Sequence, residues 1–211
     1  MEKQSMSTEN TGIIVVDVQA DFTELKSGSL AVPGTGAQYI DAVQGSTQRF
    51  LKQGFRVYFT QDWHPSDHMS FYINNPNTEP FQIVEIGGRP QVMWPPHCVQ
   101  GTPGADIVVT VDASAKTVHK GMDSRFDSYS GFADDGGHRT ELGNLLRQDS
   151  IGKLIIYGLA TDYCVKATVL DALASEYQVE VALHLCRGVS PETTESAVEE
   201  MMANGAKILT R

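Results

Sequence analysis

Three short apolar runs, each with a reactive side chain near its end, constrain this chain most. Residues 12–18 read Gly-Ile-Ile-Val-Val-Asp-Val, and residues 55–61 read Phe-Arg-Val-Tyr-Phe-Thr-Gln. Residues 153–158 read Lys-Leu-Ile-Ile-Tyr-Gly. Such runs suit strands buried on both faces of a parallel sheet. Between them lie segments with helical spacing. Residues 35–53 place Ile40, Val43, Phe50 and Leu51 on one face, and Gly54 follows as a C-terminal cap. Helices are also predicted over 139–148, 162–176 and 192–204, and short strands over 117–120, 179–184 and 206–210. Residues 107–112 are ambiguous between strand and short helix. Residues 62–105 read as one long irregular stretch, which in a compact domain is usually functional. Strands alternating with helices predict a three-layer α/β/α fold with a mostly parallel sheet of about six strands.

Composition narrows the function classes. The 211 residues suit one large domain, taken as 12–211, behind a polar tail over 1–11 that is expected to be disordered. That tail has no apolar stretch of the kind a secretory signal needs. No apolar run approaches the roughly 20 residues that span a bilayer. The net charge of −10, without a Lys/Arg cluster, disfavours nucleic acid and anionic membranes as partners. Three sparse cysteines, Cys98, Cys164 and Cys186, argue for a reducing cytoplasm rather than a disulfide framework. A homo-oligomer is compatible with the sequence and not specified by it.

Ligands in open α/β sheets bind beyond the carboxyl ends of the strands. Asp17, Asp62, Lys120 and Cys164 all fall at or just past such ends. Asp62-Trp63-His64 is the most telling of these positions. Side chains at i and i+2 of an extended backbone point the same way, so Asp62 and His64 can address one ion. His97, in Met93-Trp94-Pro95-Pro96-His97-Cys98, can complete a two-His, one-carboxylate set with coordination positions left open for chemistry. The alternative is loop polars and hydrogen-bonded core histidines. Cys164 follows a strand and opens a helix, where free N–H groups and the helix dipole lower a thiol pKa and can receive an oxyanion. The alternative there is a small buried hydrophobe, and Cys98 and Cys186 are read that way. Asp17 and Lys120 can serve as proton carrier and charge partner, or equally as a cap and a solvated strand end.

Taken together, these segments resemble the nicotinamidase/pyrazinamidase group of isochorismatase-like cysteine hydrolases. The matching pieces are Ile14-Val15-Val16-Asp17-Val18-Gln19 with Asp21-Phe22, then Gly28-Ser29-Leu30, and Thr60-Gln61-Asp62-Trp63-His64-Pro65 with His68. They continue through Trp94-Pro95-Pro96-His97-Cys98-Val99-Gln100-Gly101-Thr102, Lys120-Gly121, Asp127-Ser128-Tyr129-Ser130 and Gly158-Leu159-Ala160-Thr161-Asp162-Tyr163-Cys164-Val165. The resemblance implies hydrolysis of nicotinamide to nicotinate and ammonia in NAD salvage, and action on pyrazinamide. It implies Cys164 as nucleophile, Asp17 as proton carrier and Lys120 as the cation between them. It implies an oxyanion hole from the Ala160 and Cys164 N–H groups, with a cis peptide at Ala160-Thr161. It implies Asp62, His64 and His97 as ligands of one divalent ion (zinc before iron or manganese), with His68 as an additional candidate. Phe22, Trp94 and Tyr129 match the walls around the pyridine ring. One departure is the link Thr23-Glu24-Leu25-Lys26-Ser27, longer than the family's, which is expected to reshape the pocket rim.

Overall fold

The computed structural model describes residue 8 and residues 10–210. Most of the tail expected over 1–11 therefore lies outside the described residues, and its last residue, Thr11, already opens a strand. Twelve elements carry the fold: β1 (Thr11–Val16), α1 (Ala37–Lys52), β2 (Arg56–Asp62), β3 (Ile83–Ile86), β4 (Arg89–Val92), β5 (Lys116–Lys120), α2 (Leu142–Gln148), β6 (Lys153–Gly158), α3 (Lys166–Ala174), β7 (Gln178–Ala182), α4 (Pro191–Ala203) and β8 (Lys207–Leu209). Six of the strands form one sheet in the order β5-β2-β1-β6-β7-β8. Every pairing in it is parallel, as the unalternated apolar runs predict. Ile13, Ile14, Val15 and Val16 are fully buried. Each such side chain contributes roughly 1.5–3 kcal/mol relative to exposure.

The topology decides where the site lies. From β1 the chain passes to β2 and then β5 on one side, and returns to β6 on the other side of β1. Connections therefore leave the carboxyl ends of β1 and its neighbours in opposite directions and open a crevice there. Asp17, Asp62, Lys120 and the segment after Gly158 all rim that crevice. Among the described residues no helix is long and apolar enough to cross a membrane.

Several expectations needed adjustment. The segment 62–105 is not wholly irregular, because β3 and β4 pair antiparallel across Gly87-Gly88, whose φ values are 60° and 79°. Both values are those of a tight hairpin turn that glycine adopts without steric cost. Residues 107–112 form neither strand nor helix; Ile107 makes only an isolated bridge to Gln19. The helix expected from 139 begins at Leu142, because Thr140 is drawn off to Phe132 O through its N–H and to Gly131 O through its hydroxyl. The helix expected from 162 opens instead with a π turn, Thr161–Val165. Gly54 does follow α1, at φ 88°.

Candidate active site

β1 ends at Val16 and the next residue, Asp17, turns left-handed at φ 47°. That conformation is uncommon for a residue with a Cβ and points to a local requirement. It brings the Asp17 N–H to Thr60 O at 3.3 Å, while Thr60 Oγ1 donates to Asp17 Oδ1 at 2.6 Å. Asp17 Oδ2 has no geometrically sound hydrogen-bond donor and lies 3.0 Å from Lys120 Nζ. Lys120 is the last residue of β5 and is 1% exposed. Its ammonium also donates to Asp62 Oδ1 at 2.5 Å and Ser128 O at 2.6 Å, and lies 3.5 Å from Cys164 Sγ. Burial disfavours the charged lysine, but Asp17 and Asp62 outweigh it and hold the pKa well above the ordinary value. Burial raises the pKa of Asp17 despite Lys120. Lys120 is therefore not a solvated strand end but the charge at the centre of the site.

Cys164 lies in the π turn that follows β6. Gly158 makes the approach possible: at φ 134°, a Cβ there would come within 2.1 Å of Val16 O. The cis peptide falls at Leu159-Ala160, one residue before the expected Ala160-Thr161. The Ala160 amide is thus the nitrogen of the cis bond itself. The π turn uses Val165 N–H and Lys166 N–H on Ala160 O and Thr161 O. The turn is anchored from outside by the Asp162 carboxylate, which accepts from Val189 N–H at 3.0 Å and from the Thr193 hydroxyl at the start of α4. The expected depression of the thiol pKa is not found. Burial, with Asp17 and Asp62 nearby, pushes the Cys164 thiol well up, and Lys120 only partly opposes this. These surroundings favour the thiol over the thiolate at Cys164.

The proposed metal ligands converge. One donor atom each from Asp62, His64 and His97 lies within 4.8 Å of the others, and Asp62 Oδ2 is 3.6 Å from His64 Nε2. Backbone carbonyls fix the tautomers. His64 Nδ1–H donates to Gly121 O at 2.9 Å, and His97 Nδ1–H donates to Pro95 O at 2.8 Å. With Nδ1 engaged on a carbonyl, Nε2 is the ring nitrogen each histidine has left for an ion, the usual arrangement of metal-binding histidines. Burial, and then the neighbouring His64, brings the His97 pKa down to about 4, so this ring is neutral. Burial raises Asp62, but Lys120 and His64 outweigh it and hold the carboxyl well below its ordinary range. Burial opposes a charged His64, but Asp62 outweighs burial and raises its pKa; a divalent ion needs neutral imidazoles and an ionised carboxylate, so it would compete with a proton at His64. His68 does not join them. Its Nδ1 is taken up by Ser70 Oγ at 2.8 Å and its Nε2 by Phe126 O at 3.0 Å, which leaves no free lone pair. It packs instead against the His64 ring, centroids 4.4 Å apart.

Gly121 sets the His64 ring. It sits at φ 67°, and a Cβ there would lie 2.3 Å from His64 Cε1. Gly121→Ala is expected to displace that ring and weaken Zn(II) binding by at least about tenfold, in the range seen when a ligand's support is altered. Competition with a chromophoric chelator checks this. Unchanged affinity would show that His64 is not held from Gly121.

A cavity of about 230 Å³ joins these groups. Asp62 and His97 line it, and so do Cys164 and Ala160. Phe22, Trp94 and Tyr129 line it as well. Trp94 Nε1–H donates to the Tyr129 hydroxyl at 3.1 Å. Among the apolar lining residues not expected from the sequence are Tyr163, Phe81 and Leu30. Tyr163 packs edge-on to Trp94 at 5.4 Å, and its place beside Cys164 was the available signal. Leu30 lay inside a motif that was singled out but given no role. Nothing in the sequence marked Phe81, which reaches the cavity at φ 66°. The link after Phe22 folds into a 3-10 turn, Glu24–Lys26, and leads to Leu30 and Val32 on the cavity wall.

Known proteins agree with this architecture. The isochorismatase domain model matches residues 11–211. The chain is 41% identical over 203 residues to the nicotinamidase of Escherichia coli strain K12, covering 94% of this chain and 93% of that one. An Acinetobacter baumannii nicotinamidase/pyrazinamidase superposes with TM-score 0.86 at 32% identity, covering 98% of this chain and 97% of its own. The pyrazinamidase of Pyrococcus horikoshii in complex with zinc gives 0.80 at 37% identity, covering 96% and 99%. With that match running the length of the sheet and through every strand end that lines the cavity, the chain belongs to the isochorismatase family.

Proposed function

We propose that residues 12–211 act as one hydrolase domain that converts nicotinamide to nicotinate and ammonia, and that accepts pyrazinamide. The observation that carries this reading is the meeting of two sets of groups on one cavity. Cys164, Lys120 and Asp17 lie 3.5 Å and 3.0 Å apart in succession at one end, and Asp62, His64 and His97 converge beside them. The relatives' activity on nicotinamide and pyrazinamide fits a cavity of this size and aromatic lining.

The substrate ring lies between Phe22, Trp94 and Tyr129, with its carboxamide at Cys164. The thiol gives its proton to Asp17 Oδ2, which has room for it, as sulfur attacks the carbonyl carbon. Because burial holds both pKa values up, proton transfer and S–C bond formation proceed together rather than from a standing thiolate. The amides of Ala160 and Cys164 receive the oxyanion; one such donor is typically worth about 3 kcal/mol. Asp17 returns the proton to the departing nitrogen, the C–N bond breaks and ammonia leaves. Asp17 then takes a proton from the water that attacks the thioester carbon; the C–S bond breaks, Asp17 returns that proton to the Cys164 sulfur, and the acid product leaves as nicotinate. Lys120 balances the charge on Asp17 throughout. Asp62, His64 and His97 would hold a divalent ion, which would supply Lewis-acid polarisation to a substrate ring bound beside them. Two nitrogens and one carboxylate oxygen suit zinc, and the Pyrococcus relative binds zinc. Three free, buried cysteines suit a reducing cytoplasm, where nicotinate release feeds NAD salvage.

Ammonia release tests the reading. Nicotinamide and pyrazinamide are expected to be turned over, a carbamoyl amide is not, and a strong chelator should stop the reaction. Turnover of the carbamoyl amide alone would overturn the assignment.

A further inference from the structure

We propose that Gln19 and Asp21, on the loop after β1, are positioning residues for the ligand set: Gln19 fixes the backbone of Asp62, and Asp21 fixes the backbone beside His97. The proposal rests on the metal reading above.

The need for Gln19 follows from the left-handed turn at Asp17. β1 and β2 pair in register up to Val16 and Thr60. Beyond that β1 turns away, yet β2 continues to Asp62, which still pairs with Lys120 of β5 on its other side. On the β1 side the N–H and C=O of Asp62 would be left buried and unpaired, which is destabilising for each group. The fully buried Gln19 side chain takes the missing strand's place. Its Oε1 accepts from Asp62 N–H at 2.8 Å, and its Nε2 donates to Asp62 O at 2.8 Å and to Ala105 O at 2.9 Å. A single carboxamide thus closes both backbone groups of a ligand residue.

Asp21 does the equivalent for the second ligand segment. Its Oδ2 accepts from Cys98 N–H at 2.8 Å. Cys98 follows His97 and is left-handed at φ 47°. The Cys98 carbonyl in turn accepts from His64 N–H at 3.0 Å. The Asp21 carboxylate therefore holds the N–H side of Cys98, the residue whose carbonyl side meets the His64 segment. Room for it is made by Gly104, where a Cβ would come within 2.1 Å of Asp21 Oδ2. One short loop so carries the proton-transfer carboxylate and both clamps, which sets the distance between the thiol end and the ion end of the cavity.

The test measures Zn(II) dissociation constants of the full chain by competition with a chromophoric chelator, with melting temperatures recorded separately. Gln19→Met keeps the shape and removes all three hydrogen bonds. Asp21→Leu removes the acceptor for Cys98 N–H, whereas Asp21→Asn retains an oxygen there. Gln19→Met and Asp21→Leu are expected to weaken Zn(II) by about 10–100-fold, and Asp21→Asn by no more than about threefold. Should Gln19→Met not fold, Gln19→Glu, which loses both donors but keeps the acceptor, replaces it with the same expected direction. A loss of thermal stability with unchanged zinc affinity in Gln19→Met or Asp21→Leu would overturn the inference. So would Asp21→Asn failing as badly as Asp21→Leu. A wild-type chain that binds no Zn(II) would refute the metal reading and this inference together.

Discussion

Cys164→Ala is expected to lose at least about 10⁴-fold in kcat while folding normally and holding Zn(II) as the wild type does, because losing the nucleophile removes the covalent route entirely. The thiol sits 3.5 Å from Lys120 Nζ, and no ligand of the ion set is a sulfur. Deleting it therefore leaves the charge arrangement of Lys120, Asp17 and Asp62 in place. Cys98→Ala and Cys186→Ala are expected to keep most activity. Neither sulfur lines the cavity, and their contacts are long ones to Gly104 O at 3.9 Å and Ala182 O at 3.6 Å. Steady-state kinetics on nicotinamide separates the three. Residual Cys164→Ala activity within about tenfold of wild type, roughly 1.4 kcal/mol of barrier, contradicts covalent catalysis.

Lys120→Met is expected to fail twice, in stability and in chemistry. The lysine is fully enclosed and faces two carboxylates, Asp17 and Asp62. Removing one partner of a buried ion pair typically costs about 3–5 kcal/mol, because the charge left behind is uncompensated. Asp17, already raised by burial, would lose the cation that opposes that rise. It would then hold its proton and could not take one from the thiol. Loss of a proton carrier costs about 10²–10⁴-fold, and kcat is expected to fall by at least that much. Thermal unfolding and single-turnover kinetics on the same sample check both effects. A variant with wild-type melting temperature and kcat within about threefold would remove Lys120 from the mechanism altogether.

The strand ends were legible in the sequence because a buried parallel strand must be apolar on both faces, so a charged residue closing such a run stands out. Asp17, Asp62 and Lys120 were visible for that reason, and Cys164 because it opens the segment after one. What was not legible depended on partners from distant segments. The thiol pKa could be judged from its helix position, but its sign is set by burial and by carboxylates that β1 and β2 bring to it. His68 sits in the same motif as His64, and only Ser70 and the distant Phe126 carbonyl show that both its nitrogens are taken. The clamps made by Gln19 and Asp21 reach 43 and 77 residues along the chain, where no spacing rule applies. The β3–β4 hairpin is a different case. The two-residue turn signal Gly87-Gly88 was present, but Ile83-Val84-Glu85-Ile86 and Arg89-Pro90-Gln91-Val92 do not alternate, and the Pro-, Asn- and Gly-rich surroundings obscured the pair.

Sulfur chemistry and an ion would act at two ends of one substrate, and the ring nitrogen is the atom that tells them apart. Benzamide has the shape of nicotinamide without that nitrogen. Comparing kcat/KM for nicotinamide and benzamide, in zinc-loaded and metal-stripped protein, therefore tests the central claim directly. With Asp62, His64 and His97 holding an ion that anchors the ring, the loaded enzyme should favour nicotinamide by at least about 10²-fold, since several kcal/mol of positioning are at stake. In stripped protein that preference should shrink to within about threefold, as both amides then meet Cys164 with only the aromatic walls to orient them. Equal discrimination with and without the ion would contradict the anchoring role and favour a metal-activated water in its place.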